Sequence, residues 1–420
     1  MNLIDLPLEI LLHIAIFLPV NDFLNLSICA KLFSDLRFAI KFTAQVNFKA
    51  ISNVPYFDCF RKVEYDELAT SNIIFPKFLR GLIWKSPLCL VKIPNSLKYL
   101  QLGSDYNQPL PQLPDFLRYL GLGTKYDREL PQLPNSLECL VLSTQYNWPL
   151  THLPNSLLYL KLGCNYNHQL PLLPNSLRYL FFGAKYNKPV EHFSSSLKHL
   201  KLGINYNQPL PQLPDSLLRL NLGTNYNHAL SRLPDSLLRL KLSFQYNQQL
   251  VNLPISLSHL ELGYEYMQPL PPLPVSLKYL KLGTNYNHPF TYLPNSLVYL
   301  ELGFQYNQPF KSLPDSLIHL ELNFMYNYEL PPLPISLKYL KIGYNYNYPL
   351  SSLPNSLTYL ILDDGYRLQL PPLPNLLVYL KLSHCYNHSL PTLPDSLEYL
   401  VVKRDFPLPK LSPGVTISYL

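Results

Sequence analysis

Leucine recurs along residues 93–400 with a period of twenty, in about fifteen units that contain no insertion or deletion. PQLPDSLLRLNLGTNYNHAL (211–230) and TYLPNSLVYLELGFQYNQPF (291–310) differ by substitution alone, and the consensus is LPxSLxxLxLGxxYNxPLPx. Each unit is numbered here from residue 101. Leucine then fills position 20 from Leu100 to Leu400 and position 17 from Leu97 to Leu397. Position 2 is also leucine, with Phe182 and Ile342 as apolar swaps. Positions 20 and 2 are two residues apart, so they share one face of a strand. Positions 19 and 1 carry Tyr, His, Arg, Lys or Glu in most units and face the other way. A fixed period near twenty predicts a solenoid in which each unit is one coil. Stacked coils place their strands in a parallel sheet about 4.8 Å apart.

The return half of the coil is not helical. Proline occupies position 14 in every unit except at Ser194, and often positions 9 and 11. Inside a helix each would remove a hydrogen bond and clash, at a cost of roughly 3 kcal/mol. An LPxLP run favours extended, polyproline-type backbone with its leucines, positions 10 and 13, turned inward. Tyrosine fills position 6 in every unit from Tyr106 to Tyr386. So uniform a column predicts a stacked aromatic ladder, each pair adding about 0.5–1.5 kcal/mol beyond burial. Position 7 is Asn apart from Asp127, Met267 and Arg367, and is expected to bond backbone at the turn. Glycine at position 3 is expected to let the chain bend after the strand. Units 181–200 and 361–380 depart most from the pattern and are candidates for local bends.

Before the repeats the apolar period changes. Leu6, Ile10, Ile14 and Phe17 recur at helical spacing behind Asp5 and Pro7, a capping residue and a first-turn residue. Pro19 stops that helix; Asn21 or Asp22 caps a second, with Phe23, Leu26, Ala30 and Phe33 on one face. Asp5 and Glu9 precede the apolar stretch, no Lys or Arg does, and no small-residue cleavage site follows, so this is not read as a signal peptide.

This segment resembles an F-box. The residues that carry the likeness are Leu6-Pro7-x-Glu9-Ile10-Leu11, Ile14, Phe17-Leu18-Pro19, Asp22-Phe23-Leu24, Ala30-Lys31-Leu32-Phe33 and Leu36, with Phe33 where the family usually has Trp. The resemblance implies docking onto the Skp-type adaptor of a cullin-RING ubiquitin ligase through Leu6, Pro7, Ile10, Leu11, Ile14, Phe17 and Leu18. The LxxLxL units resemble leucine-rich repeats, and their YNxPL core resembles the FNIP repeat; the combination of F-box and FNIP repeats that this resemblance implies is an architecture associated with social amoebae and with giant viruses that infect amoebae. The leucine-rich-repeat ladder Asn would fall at position 5, which is Asn only at some units, including Asn165 and Asn205; the firmer Asn is at position 7. The LPxLP coil is also similar to the repeats of certain bacterial ubiquitin-ligase effectors, which carry a separate catalytic domain.

The predicted fold is therefore a mainly β solenoid of leucine-rich-repeat type, with 20-residue coils, a parallel sheet on one face and no convex helices, preceded by a small α-helical F-box. Its parts are an F-box-like domain over 1–42, degenerate capping coils over 43–92, repeats over 93–400 and a C-terminal cap over 401–420. FRKVEY (60–65) and the closing VTISYL read as further strands.

Composition adds limits. The 42 prolines are periodic, which makes them structural rather than a mark of disorder. Six cysteines, at 29, 59, 89, 139, 164 and 385, follow no paired pattern, which points to reduced thiols and an intracellular, cytoplasmic protein (host-cell cytoplasm if viral). A net charge of +7 is mild for the length and short of a nucleic-acid signature. No stretch is long and apolar enough to span a membrane. No catalytic constellation stands out: His199, His259 and His319 share position 19 but lie three or more coils apart, roughly 14 Å or more. His384, Cys385 and His388 lack a fourth ligand. No enzyme, cofactor or metal is expected.

What remains is the outer sheet face. Tyr159, Tyr179, Arg219, Arg239, Tyr279 and Tyr299 at position 19, flanked by Lys201, Lys241 and Lys281 at position 1, are the residue types that hold protein partners. The function expected is that of a substrate receptor in a Skp–cullin–F-box type ligase, with an unknown target protein on the solenoid. The alternative is a scaffold or decoy that recruits no ligase.

Overall fold

The structure is a computed structural model that describes residues 42–53, 57–67, 73–409 and 414–420. The segment read as N-terminal helices, with the docking candidates Leu6 to Leu18, lies outside the described residues. The chain forms two units, one ending at Leu197 and one running from Lys198 to Leu420.

In the first unit the strands Phe42–Asn47, Phe60–Tyr65, Gly81–Trp84, Tyr99–Leu102, Tyr119–Gly121, Cys139–Val141, Tyr159–Lys161 and Tyr179–Phe181 pair successively, all parallel. The strand read at 60–65 is thus present. In the second unit the same holds from His199–Lys201 through Tyr399–Val402, and the closing strand Thr416–Tyr419 pairs with the latter. Register is in step with the repeat: Tyr279, Leu280 and Lys281 face Tyr299, Leu300 and Glu301.

Each coil has the same plan. The strand covers positions 19 to 1, with the position 20 leucine buried. Two tight turns close the coil. In one, Tyr106 N–H donates to the Gly103 carbonyl; in the other, Leu117 N–H donates to the Pro114 carbonyl. Proline suits the second turn because its carbonyl is used and no amide is needed there. The only helices among the described residues are Phe48–Ile51 and a 3-10 turn at Phe57–Cys59, so the repeats carry none. Near its start the first unit is filled by aromatics instead of leucine: Tyr65 stacks on Trp84 at 4.4 Å, and Phe48 meets Tyr65 edge-on at 5.1 Å.

The position 6 ladder is as expected. Ring centroids from Tyr106 to Tyr186 are 6.1–6.3 Å apart. In the second unit, steps such as Tyr226–Tyr246 and Tyr306–Tyr326 measure 6.3 and 6.4 Å, with the rings within 5° of parallel. These rings are fully buried. The Leu90 amide donates to the Tyr106 hydroxyl, which itself donates to the Pro109 carbonyl. At Tyr226, Tyr246 and Tyr266 the hydroxyl is buried without a hydrogen bond, although the amide of the preceding coil's position 10 still acts on it electrostatically. Burial pushes the phenols of Tyr106, Tyr226, Tyr246, Tyr286 and Tyr346 up to about 12.

Two expectations change in detail. The position 7 Asn does not close its own turn; its Oδ1 accepts the amide of position 7 in the next coil, as Asn227 does from Asn247 and Asn307 from Asn327. Glycine at position 3 has no left-handed backbone in the repeats. It is there because coils approach closely: a Cβ on Gly223 would overlap the Gly203 carbonyl oxygen. Where serine replaces it, as at Ser143 and Ser243, the hydroxyl donates to the tyrosine carbonyl of the coil before, Tyr126 and Tyr226.

The two irregular units keep the plan. Ser194, standing in for proline, still accepts the turn hydrogen bond from Leu197 through its carbonyl, and its hydroxyl donates to the Asn175 carbonyl. Asp363 closes the other turn with Tyr366. Two further ladders were not anticipated. The position 16 serine hydroxyl donates to the position 17 carbonyl one coil back, as in Ser236 to Leu217. The position 8 side chain reaches the position 7 carbonyl one coil back, as in Trp148 to Asp127 and Gln308 to Asn287.

Candidate protein-binding face

Position 19 side chains stand on the sheet face because their neighbours at position 20 point into the core. In the first unit Tyr99 stacks on Tyr119 at 4.2 Å. Tyr159 and Tyr179 are half-buried, tilted at 35°, with centroids 6.0 Å apart, and Phe181 packs against Tyr159 at 5.2 Å.

In the second unit an uninterrupted aromatic column runs from His259 to Tyr399. Tyr279–Tyr299, Tyr299–His319 and His319–Tyr339 have centroids 4.3, 4.3 and 4.0 Å apart. That spacing is close to the strand separation, so each ring lies flat on the next. Position 1 charges brace the rings. The Tyr299 hydroxyl donates to Glu301 at 2.9 Å, and Lys281 pairs with the same carboxylate at 2.8 Å. His319 bonds Glu321 at 2.7 Å, which holds that carboxyl below its ordinary range. Burial, then Glu301, pushes the Tyr299 phenol up; burial, then Glu321, pushes Tyr339 up to about 12.

The candidate residues of the second unit therefore fall into two groups. Tyr279, Tyr299 and Lys281 are locked into this braced column, and Lys241 is paired with Glu261 at 2.5 Å. Lys201, Arg219 and Arg239 are exposed and make no ion pair among the described residues. Arg219 and Arg239 are direct register partners.

One column escaped the sequence reading. Position 4, at the turn after the strand, carries exposed or half-exposed aromatics in five coils of the second unit: Phe244 stacks on Tyr264 at 4.5 Å, and Phe304, Phe324 and Tyr344 stack at 4.6 and 4.7 Å. The first unit has Ser104, Thr124, Thr144, Cys164 and Ala184 there. The signal was present at period twenty, but the consensus averages the position into an unspecified residue.

Among the described residues no His, Cys, Asp and Glu group could hold a metal ion, and the described cysteines Cys89, Cys139, Cys164 and Cys385 are free thiols. Burial pushes the Cys139 thiol up to about 11, which makes it a poor nucleophile. No helix among the described residues is long and apolar enough to cross a membrane.

Comparison with known proteins agrees with this geometry. The FNIP repeat model matches residues 86–125, 126–165, 146–185, 186–225, 206–245, 226–265, 266–305 and 326–365. Among solved structures, CroV588, described as a novel circular leucine-rich-repeat protein, is similar at 27% identity over 89% of this chain and 77% of that one, with a TM-score of 0.56. YopM from Yersinia enterocolitica WA-314 is similar at 26% identity over 85% of this chain and 90% of that one, with a TM-score of 0.60. No curated protein matches by sequence. The repeats thus form a parallel solenoid of the kind that leucine-rich-repeat interaction scaffolds use.

Proposed function

The chain belongs to the FNIP-repeat family, and from that premise we propose that it is the substrate receptor of a Skp–cullin–F-box type ubiquitin ligase. The repeats hold a target protein; the N-terminal segment docks the adaptor through Leu6, Pro7, Ile10, Leu11, Ile14, Phe17 and Leu18. Catalysis is then proximity, supplied by the partner subunits. The observation that carries the target-binding half is the aromatic column from His259 to Tyr399, a long rigid strip of the residue type that dominates protein interfaces. Its rings are held by stacking and by Glu301 and Glu321, so little side-chain freedom is lost on binding. Tyr159, Tyr179, Arg219, Arg239, Lys201 and Lys241 extend the contact surface on the sheet faces of the two units.

The adaptor half rests on the sequence resemblance. Its test is binding of the purified full chain to a Skp-type adaptor, beside a Leu6→Asp, Ile10→Asp double variant of unchanged circular dichroism. Binding by the wild type and not by the variant supports the ligase reading. A folded wild type that ignores the adaptor leaves a protein-binding scaffold or decoy.

A further inference from the structure

We propose that the first three strands of the second unit, His199–Lys201, Arg219–Asn221 and Arg239–Lys241, form a recognition surface for an acidic segment of the captured protein, centred on Arg219 and Arg239. The inference rests on the sheet face being the target-binding face and adds the chemistry of what binds there.

Arg219 and Arg239 are direct Cα partners on adjacent parallel strands, about 4.8 Å apart. Like charges placed opposite each other across strands are destabilising. Lys201 lies beside Asn221 on one flank, and Lys241 on the other. No acidic residue occupies position 19 or 1 of these three strands.

The rest of the same face behaves differently. From Lys241 at the end of the third strand onward, acids stand beside most of the position 1 cations: Lys241 takes Glu261, Lys281 takes Glu301, and Lys341 lies 3.7 Å from Asp363, with Lys381 beside Val401 the exception. The repeat can therefore neutralise a position 1 cation with the next coil, and does so at these places along the aromatic column. At Lys201, whose register partner is Asn221, it does not, and no acid stands beside Arg219 or Arg239 at position 19. A local rule broken without compensation marks a site kept for something outside the chain. The field is felt nearby. Burial first, then Arg219 and Lys198, hold the His199 ring below its ordinary value, and burial, Arg239 and Arg219 do the same to His259.

The guanidinium pair suits carboxylates, which it binds in bidentate fashion. The adjoining aromatic column begins at His259, so an acidic run followed by apolar residues would engage both. A protein segment is favoured over a nucleic acid because the cations form a short patch beside acids, not a stripe along the face.

The test uses the full chain, a fluorescein-labelled poly-glutamate peptide and a single-stranded oligonucleotide of matched charge. The wild type is expected to bind the peptide, more weakly as salt rises. The R219S/R239S variant is expected to lose on the order of tenfold or more in affinity. It should melt at the same temperature as wild type or higher, since like-charge repulsion is relieved. Equal binding by wild type and variant, no peptide binding, or preference for the oligonucleotide overturns the inference. The broader reading fails separately. If a Tyr299→Glu, Tyr339→Glu variant loses the captured protein while R219S/R239S keeps it, the acidic-segment inference falls and the sheet-face reading stands. If both variants keep it, both fall.

Discussion

The two units are built from one coil and differ in what they show at its rim. Inside, each stacks buried tyrosines at position 6 on a leucine core, at nearly the same spacing. At position 4 the first unit has small or polar residues, and the second has stacked aromatics, exposed or half-exposed, at Phe244, Tyr264, Phe304, Phe324 and Tyr344. On the sheet face the first unit's rings are interrupted at Cys139, whereas the second carries an unbroken column from His259 onward. Uniform columns are therefore architecture, because each must fit the coil on either side. Columns that change along the chain, with no counterpart change in the core, are free to serve binding.

That division can be broken most severely from the inside, and the two units should then behave alike. The ordinary tyrosine value is 10.0, and burial raises the ladder phenols, several to about 12. A raised folded-state value means that the stabilisation is intact below pH 10 and is lost as pH rises toward the folded value. Each such ring forfeits about 1.4 kcal/mol per pH unit in that window. Summed over the ladder, circular dichroism against pH should show a steep cooperative collapse between pH 10 and 12; a shallow drift would contradict the buried ladder.

Single truncations come next. Tyr146→Ala in the first unit and Tyr306→Ala in the second should each cost about 3–5 kcal/mol in denaturant unfolding, by analogy with other large aromatics. Markedly unequal losses would mean that the cores differ after all.

Removing only a hydroxyl sharpens the comparison further. Tyr106→Phe gives up bonds to Leu90 and Pro109 and should cost about 0.5–1.5 kcal/mol. Tyr226→Phe deletes a buried, unbonded hydroxyl and should be neutral or stabilising in thermal melts. A gain is also expected from Met267→Asn. The Met267 amide donates to Asn247 Oδ1, but its side chain offers no oxygen to the next coil, so the substitution should restore a rung worth about 1 kcal/mol. Least affected should be Phe304→Ser with Phe324→Ser, exposed or half-exposed changes expected to shift stability by about 0.5 kcal/mol or less while weakening partner capture.

Much of this was legible in the sequence because it lies within one coil. The leucines at positions 20 and 2, such as Leu220 and Leu222, define the strand. The proline at position 14, such as Pro234, forbids a helix, and the tyrosine at position 6 is too constant to be a recognition residue. Apart from the strand pairing and the tyrosine stack, which constancy at a fixed period reveals, what was hidden lies between coils. The ladders at positions 7, 8 and 16 each connect residues about twenty apart, and the overlap at Gly223 is with a carbonyl of Gly203, one coil away. Pattern within a unit does not reveal such contacts. The pairing of Lys281 with Glu301 follows the same logic, since sequence alone makes both look like free surface charges.

The most direct test of the sheet-face claim is quantitative capture of a partner by wild type, by Tyr299→Glu, Tyr339→Glu, and by Lys311→Glu, an exposed change outside the strands. The account predicts that the tyrosine variant, assayed well below its lowered melting temperature, loses the partner while Lys311→Glu retains it. Equal retention by all three would contradict it.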